Sequence, residues 1–308
     1  MIFFFENGRL GNQLFQYCGL RQYFREHNLF FFGCSSLQNS FNSIDAIFIK
    51  LKSNSFLYRV LKEIFLFLAK FKLLGEIKEI IVNNNTKLYV RRGLLWNAFL
   101  AHQIYFQYSS FTNKIINPPK INKKYTTLAK NWLIKKKVFK KKSNLVFVHI
   151  RRGDYLFWPD PNFPAVSDLS WYKKNILNIK NRVKKPIFVI MGDDTLYLRD
   201  VFKESKNLII SNNLLEIDLS IMSFCFHGIL SASSFAWWGA FYARSKHKQN
   251  TTFLAPKYWC GHRKKKWQRD HWARIEKISR LGTHPILLSA TTTTMKAKRQ
   301  KSRQATQW

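Results

Sequence analysis

Two adjacent arginines at the end of an apolar run are the residues best equipped for chemistry in this chain. Leu145 to Val148 is apolar, His149 and Ile150 follow, and then come Arg151, Arg152, Gly153, Asp154 and Tyr155. The run has the length and composition of a buried strand. Open α/β sheets bind ligands at the carboxyl ends of such strands. Guanidiniums grip phosphate through bidentate, charge-assisted hydrogen bonds. Asp154 is close enough to orient one guanidinium or to serve the reaction. This is the layout of a site for a phosphorylated ligand, and it points to an enzyme. Alone, Arg-Arg-Gly-Asp reads as a salt-bridged strand end at the surface; two further segments argue for the site.

The first runs from Asn7 through Gly8, Arg9, Leu10 and Gly11 to Asn12 and Gln13, between a strand and a helix. Its glycines permit a tight turn and close approach of a ligand. A helix N-terminus presents free N–H groups, and the amides of Asn12 and Gln13 suit sugar hydroxyls. An ordinary turn capped by asparagine explains the segment equally well. It is not Gly-x-Gly-x-x-Gly, so no dinucleotide is inferred. The second segment is Ser231 to Ala240, in which Ser233 and Ser234 lie between a strand and a helix. Such serines cap the helix and can contact a phosphate or ribose, while Trp237, Trp238 and Gly239 pack the helix on the sheet. His149 is a core histidine or a ligand contact, the contact being preferred. Asp193 and Asp194 end another strand. The chain has few acids, which argues against a metal and for helix capping or nucleotide contact.

These residues need elements to position them. Ile2 to Phe5 reads as a strand, Asn12 to His27 as a helix and Leu29 to Phe32 as a strand. Further on, Leu145–Ile150, Pro186–Met191, Asn207–Ile210 and Gly228–Leu230 read as strands, and Thr252–Leu254 leads into Pro256. They alternate with helices at Ser170–Asn181, Leu196–Phe202, Leu214–Phe224 and Phe235–Arg244. The alternation implies parallel sheets with helices on both faces, in two Rossmann-like lobes facing a central cleft. The lobes are expected at 1–142, which includes a Lys-rich connection, and 143–288; residues 289–308 read as a disordered basic tail. Residues 40 to 110 show only helical patterning around Ser55–Leu74 and an aromatic stretch, Trp96–Phe111.

The net charge is +35, from 52 Lys and Arg against 17 Asp and Glu. From Lys114 to Lys142 there are eleven lysines and no acid. Such an excess draws a protein toward polyanions. Without a nucleic-acid motif it reads as solvated surface with peripheral contact to an anionic membrane leaflet, and no nucleic-acid partner is expected. The four cysteines form no Cys-x-x-Cys pair. Cys225 with His227 and Cys260 with His262 are zinc candidates, but ordinary thiols in a reducing compartment are the preferred reading. No secretory signal or membrane span is evident, and Ile64–Leu74 is too short to cross a bilayer. These features point to a cytoplasmic protein.

The three segments occur together, and in this order, in the family 11 glycosyltransferases, the α-1,2-fucosyltransferases, which the chain resembles. Gly8 to Tyr17 is similar to their N-terminal motif. His149 to Tyr155 resembles the His-x-Arg-Arg-x-Asp-Tyr peptide they share with α-1,6- and protein O-fucosyltransferases. Ser233 to Ala240 resembles their Ser-Ser-Phe-x-Trp-Trp-Gly-Ala block. The resemblance implies a GT-B fold whose C-terminal lobe holds the donor, GDP-β-L-fucose. It implies inverting transfer to the 2-hydroxyl of a galactoside in a surface glycan or lipopolysaccharide, with no cofactor or essential metal. Arg151 and Asp154 become the catalytic residues. Gly11, Asn12, Gln13, His149, Arg152, Tyr155, Ser233, Ser234 and Phe235 become the donor contacts, with Asn12 across the cleft near the fucose. The chain departs from the family in having Asn7-Gly8-Arg9 where a glycine run is usual. Its Lys-rich middle matches nothing nameable, so the acceptor stays open. The anchor of animal relatives is missing, which suggests the bacterial form. The alternatives are a GT-B transferase for another nucleotide sugar, or a non-catalytic basic protein binding RNA or membrane.

Overall fold

The computed structural model describes residues 1–82, 85–115, 117–139, 144–162, 164–247 and 250–256. They divide into two compact units, Met1–Leu128 and one beginning at Ala129.

Aromatic strands build the first unit. In chain order its elements are β1 (Ile2–Phe5), α1 (Leu10–Tyr23), β2 (Leu29–Phe32), α2 (Ser35–Ser40), β3 (Phe41–Asn42), β4 (Ile47–Ile49), α3 (Phe56–Lys70), β5 (Gly75–Val82), β6 (Asn85–Arg91), β7 (Phe99–Ala101), α4 (Ser109–Thr112), β8 (Lys120–Ile121) and α5 (Lys123–Lys135). The main sheet has the order β4-β2-β1-β7-β5-β6. Only β5 and β6 run antiparallel in it; β3 and β8 form a separate antiparallel pair. Ile2–Phe5 registers against Leu29–Phe32, so phenylalanines meet across the strands. The Phe5 and Phe32 rings stack at 4.4 Å, and Phe65 of α3 meets Phe5 edge-on at 5.4 Å. Aromatic pairs of this kind add roughly 0.5–1.5 kcal/mol each beyond their buried area. The chain runs from β1 outward to β2 and β4, then crosses to the other side of β1, where it forms β5 and β6 before β7 fills the place beside β1. The strand order therefore reverses between β1 and β7.

The second unit is more regular. β9 (Asn144–Ile150), α6 (Leu169–Arg182), β10 (Pro186–Gly192), α7 (Thr195–Val201), β11 (Leu208–Ile210), α8 (Leu215–Phe224), β12 (His227–Ile229), α9 (Ser234–His247) and β13 (Thr252–Leu254) alternate strictly. The sheet is parallel throughout, in the order β11-β10-β9-β12-β13. Numbered within the unit, that is 3-2-1-4-5, the doubly wound order. β9 is central and buried from Leu145 to Ile150, as a parallel strand covered on both faces must be. Val146, Val148 and Ile150 pack with Tyr172, Ile176 and Ile179 of α6. Two successive doubly wound α/β units are the organisation of the GT-B class.

The strands Ile2–Phe5 and Leu29–Phe32 lie where the sequence places them. Helix α1 begins at Leu10, ahead of the expected Asn12, because Arg9 takes the N-cap with extended backbone and no side-chain cap. Its carbonyl accepts from the N–H groups of Asn12 and Gln13. The β5–β6 hairpin falls in the stretch the sequence left unassigned. The unit division falls inside α5, between Leu128 and Ala129, where the sequence drew its boundary at 142/143. The zinc candidates Cys260 and His262, and the tail 289–308, lie outside the described residues.

Candidate functional site

In the second unit the order reverses between β9 and β12, and the carboxyl ends of β9, β10 and β12 meet there. β9 delivers Arg151 and Arg152. β10, in register with β9 so that Gly192 faces Ile150, delivers Asp193 and Asp194. β12 leads through Ser231, Ala232 and Ser233 into α9. This crevice, at the switch point of a doubly wound sheet, is where such folds bind ligands.

Carboxylates hold both guanidiniums. Arg151 donates from Nε and Nη2 to Oδ1 of Asp154 at 3.0 and 2.7 Å, and its Nε is 3.1 Å from Oδ2 of Asp193. Arg152 donates from Nε to Oδ2 of Asp194 at 3.2 Å, and its backbone N–H donates to Oδ1 of Asp193 at 2.8 Å. Asp194 also caps α7, accepting from the Tyr197 N–H at 3.1 Å. The Arg151 side chain is only 12% exposed and that of Arg152 22%. Tyrosine rings add support: Tyr155 lies 5.1 Å from Arg151 and Tyr197 3.5 Å from Arg152. Tyr155 is itself anchored, its hydroxyl donating to the Ala232 carbonyl at 2.7 Å. A Cβ at Gly153 would stand 2.7 Å from Oδ2 of Asp193, so a larger residue there would have to displace that carboxylate. Two guanidiniums and three carboxylates leave this group with a formal charge of −1. The acids therefore orient the arginines and do not make a bare positive patch.

His149 is buried, with Nδ1 2.7 Å from Oγ of Ser231. Burial, aided by the Arg151 charge, depresses its pKa to about 3. It is a neutral hydrogen-bonding group at physiological pH. Its ring lies 5.6 Å from that of Phe235. Ser233 is buried, and its Oγ accepts from the Phe235 N–H at 3.3 Å, so it caps α9. Ser234 opens that helix.

Burial also holds His227 down to about 4. A histidine that ordinarily titrates near 6.5 and stays neutral when folded stabilises the native state above that pH. The contribution is lost as the unfolded chain gains the proton. Asp218 acts oppositely: burial lifts it to about 7, so its contribution fades as pH rises toward 7. Two depressed histidines outnumber one raised aspartate. The second unit should therefore unfold at progressively lower denaturant as pH falls from 6.5 toward 4, with the His149 imidazole NMR signals unshifted throughout. A titration of those signals near pH 6.5 would contradict this.

The glycine loop serves the first unit's sheet at its own reversal point. Gly8 has φ +84°, a left-handed conformation open to glycine. Gln13 is buried, and its Nε2 donates to Oε1 of Glu6 at 2.8 Å and to the Gly8 carbonyl at 3.0 Å. Gln16 likewise ties the Asn7 and Ile104 carbonyls. Asn12, in the first turn of α1 beside Gly11, accepts through Oδ1 from Nε2 of Gln107 at 2.7 Å. The structure thus joins the end of β1 to the segment after β7 through amides, with Gln13 bracing the loop.

Arg151, Arg152, Asp154, Tyr155, His149 and Ser233 converge as the sequence suggests. Asp193, Asp194 and Tyr197 are partners the sequence did not assign to the arginines, and Ser231 is one it did not assign to His149. The paired acids at a strand end were the visible signal for Asp193. Of the zinc candidates, the Cys225 thiol is buried and lies 3.3 Å from the Ile221 carbonyl, and His227 accepts from the Thr252 N–H. Among the described residues no cluster of three or more His, Cys, Asp or Glu could hold a metal.

The O-antigen biosynthesis glycosyltransferase WbnK of Escherichia coli is 28% identical over 302 residues, 87% of this chain and 98% of the relative. An α-1,2-colitosyltransferase of Escherichia coli is 29% identical over 151 residues, 44% of this chain and 49% of the relative. The galactoside 2-α-L-fucosyltransferase Sec1 of Mus musculus is 28% identical over 105 residues, 32% of this chain and 28% of the relative. Among solved structures, a family 9 glycosyl transferase of Veillonella parvula superposes with a TM-score of 0.53 at 12% identity. That superposition covers 99% of this chain and 91% of the other and shows a shared fold. The family model for glycosyl transferase family 11 matches residues 4–276, taking in the glycine loop, the arginine pair and the serine-capped helix, and the chain belongs to that glycosyltransferase family.

Proposed function

We propose that this enzyme transfers L-fucose from GDP-β-L-fucose to the 2-hydroxyl of a galactoside, inverting the anomeric centre. The observation that carries the reading is the carboxylate-oriented arginine pair at the switch point of the second sheet. An α-1,2 linkage and a galactoside acceptor are supported by the names of the colitosyl- and fucosyltransferase relatives. In a single displacement the acceptor hydroxyl oxygen attacks the anomeric carbon, its proton passes to water, and the bond to the diphosphate breaks. Arg151 stabilises the charge that grows on departing GDP. That is a task metal ions perform elsewhere and a preorganised guanidinium can perform alone. Arg152 and the N-terminal N–H groups of α9 add donors for the phosphates. Neutral His149 sets Ser231 in place.

Asp154 is a poor general base in this arrangement. One of its oxygens already accepts two N–H groups of Arg151, which commits it to holding the guanidinium. It serves as a positioning residue, as does Asp193. Asp193→Ala removes the acceptor of the Arg152 backbone N–H and one carboxylate from Arg151. Turnover should fall roughly tenfold to hundredfold, the scale of a small misplacement at a reacting centre, with the circular dichroism spectrum unchanged. Wild-type turnover in the variant would remove Asp193 from the account. Incubating the protein with labelled GDP-fucose and a panel of β-galactosides tests the reading: a 2-linked fucosyl product is expected. The colitosyltransferase likeness favours a second reading in which the donor sugar is the 3-deoxy analogue. Product from GDP-colitose and none from GDP-fucose would select it.

A further inference from the structure

We propose that α3 and the loop after β6 form a docking surface for an anionic lipid bilayer. α3 is apolar on two sides. One side, with Tyr58, Phe65 and Ala69, packs into the first unit's core. The opposite side should carry polar residues on a surface helix, yet Phe56 is 83% exposed, Phe67 57%, Ile64 46% and, at the C-cap, Phe71 59%. At 100° per residue these four fall within one quarter of the helix circumference.

The surface continues beyond the helix. The N–H groups of Leu94 and Leu95 donate to the carbonyls of Lys72 and Leu73 at 2.7 and 2.9 Å, which fixes the loop against the end of α3. Leu94 is 78% exposed and Trp96 63%. Contiguous exposed apolar residues of this size mark an interaction site.

The surrounding charge selects the partner. Exposed Arg59, Lys70, Lys72 and Arg92 accompany the apolar residues, with Glu63 as the acid on the exposed side of α3. Arg92 lies 4.4 Å over the Trp96 ring. Phenylalanines and a tryptophan amid cations are the composition of a helix lying in the headgroup layer, where apolar side chains enter the acyl boundary and cations meet anionic lipid. The helix has 15 residues, about 22 Å, too short for the roughly 30 Å hydrocarbon core. Among the described residues no helix is long and apolar enough to cross a membrane. The surface lies on the bilayer and does not span it. A glycosyltransferase so placed would meet acceptors carried on lipid, but the docking surface stands independently of the donor proposed above.

Sedimentation of the full chain with vesicles of phosphatidylglycerol, and with vesicles of phosphatidylcholine alone, tests the proposal. Binding to the anionic vesicles is expected, weakening as salt rises. Phe67→Ser with Trp96→Ser leaves the charge unchanged and should lower partitioning at least tenfold. Lys70→Gln with Lys72→Gln should lower it about fivefold per cation. These positions are exposed, and unchanged thermal melting would verify folding. No binding of the wild type to anionic vesicles at low salt overturns the proposal. So does wild-type binding by the Phe67/Trp96 variant, which would assign the membrane to the lysine run. A vesicle-free dimer abolished by the same substitutions would make the surface a self-association interface and overturn it equally.

Discussion

Replacing Arg151 with alanine should lower glycosyl transfer by two to three orders of magnitude and leave the protein folded. Removing one preorganised donor from developing charge typically raises a barrier by ~2.7–4 kcal/mol, and each 1.36 kcal/mol is tenfold in rate. Arg151 is placed for that effect, since its side chain is 12% exposed and two aspartates hold it. Folding should survive because Asp154, left without its partner, is 49% exposed and can turn to water. Arg151→Lys should recover part of the rate, keeping the charge but losing the planar fork. Steady-state kinetics beside thermal melting separate these outcomes. An alanine variant with wild-type turnover would take Arg151 out of the chemistry.

The second large effect falls on stability. Trp238 is fully buried in α9, with the Trp237 ring 5.1 Å and the Phe241 ring 5.2 Å from its own. Beside it, a Cβ on Gly239 would stand 2.1 Å from the Met222 sulfur of α8, so the two helices pack without spare room. Truncating a buried tryptophan to alanine costs roughly 3–5 kcal/mol, through lost burial and the cavity left behind. In a unit of this size that is a fall in melting temperature of roughly 10 °C. Calorimetry checks it, and a shift below about 2 °C would mean that the helix is not anchored here. The variant should also lose activity between the two midpoints, because α9 presents Ser233 and Ser234 to the site.

The sequence made the second unit legible because its strands are buried on both faces. Such strands read as unbroken apolar runs, as at Leu145–Ile150 and Pro186–Met191, and punctuation such as Gly192-Asp193-Asp194 closes them. The arginine pair was visible for the same reason, as charge ending an apolar run. Its partners were not. Asp193 lies 42 positions after Arg151 (193 − 151) and reaches it only because β10 pairs in parallel register with β9. Nothing local in the sequence states that register. The middle of the first unit resisted for a different reason. β5 pairs with β6 as an edge hairpin, and Lys, Glu and Asn among its apolar residues blur the alternation. Helix α3 was visible as apolar spacing, but its second, exposed apolar side emerged only with the packing of Phe65 and Tyr58 into the core.

A crystal structure of the protein with GDP tests the central claim most directly. The account predicts the diphosphate at the carboxyl ends of β9 and β12, within about 3 Å of guanidinium nitrogens of Arg151 or Arg152. Phosphates bound away from both arginines, or seated in the first unit, would contradict it.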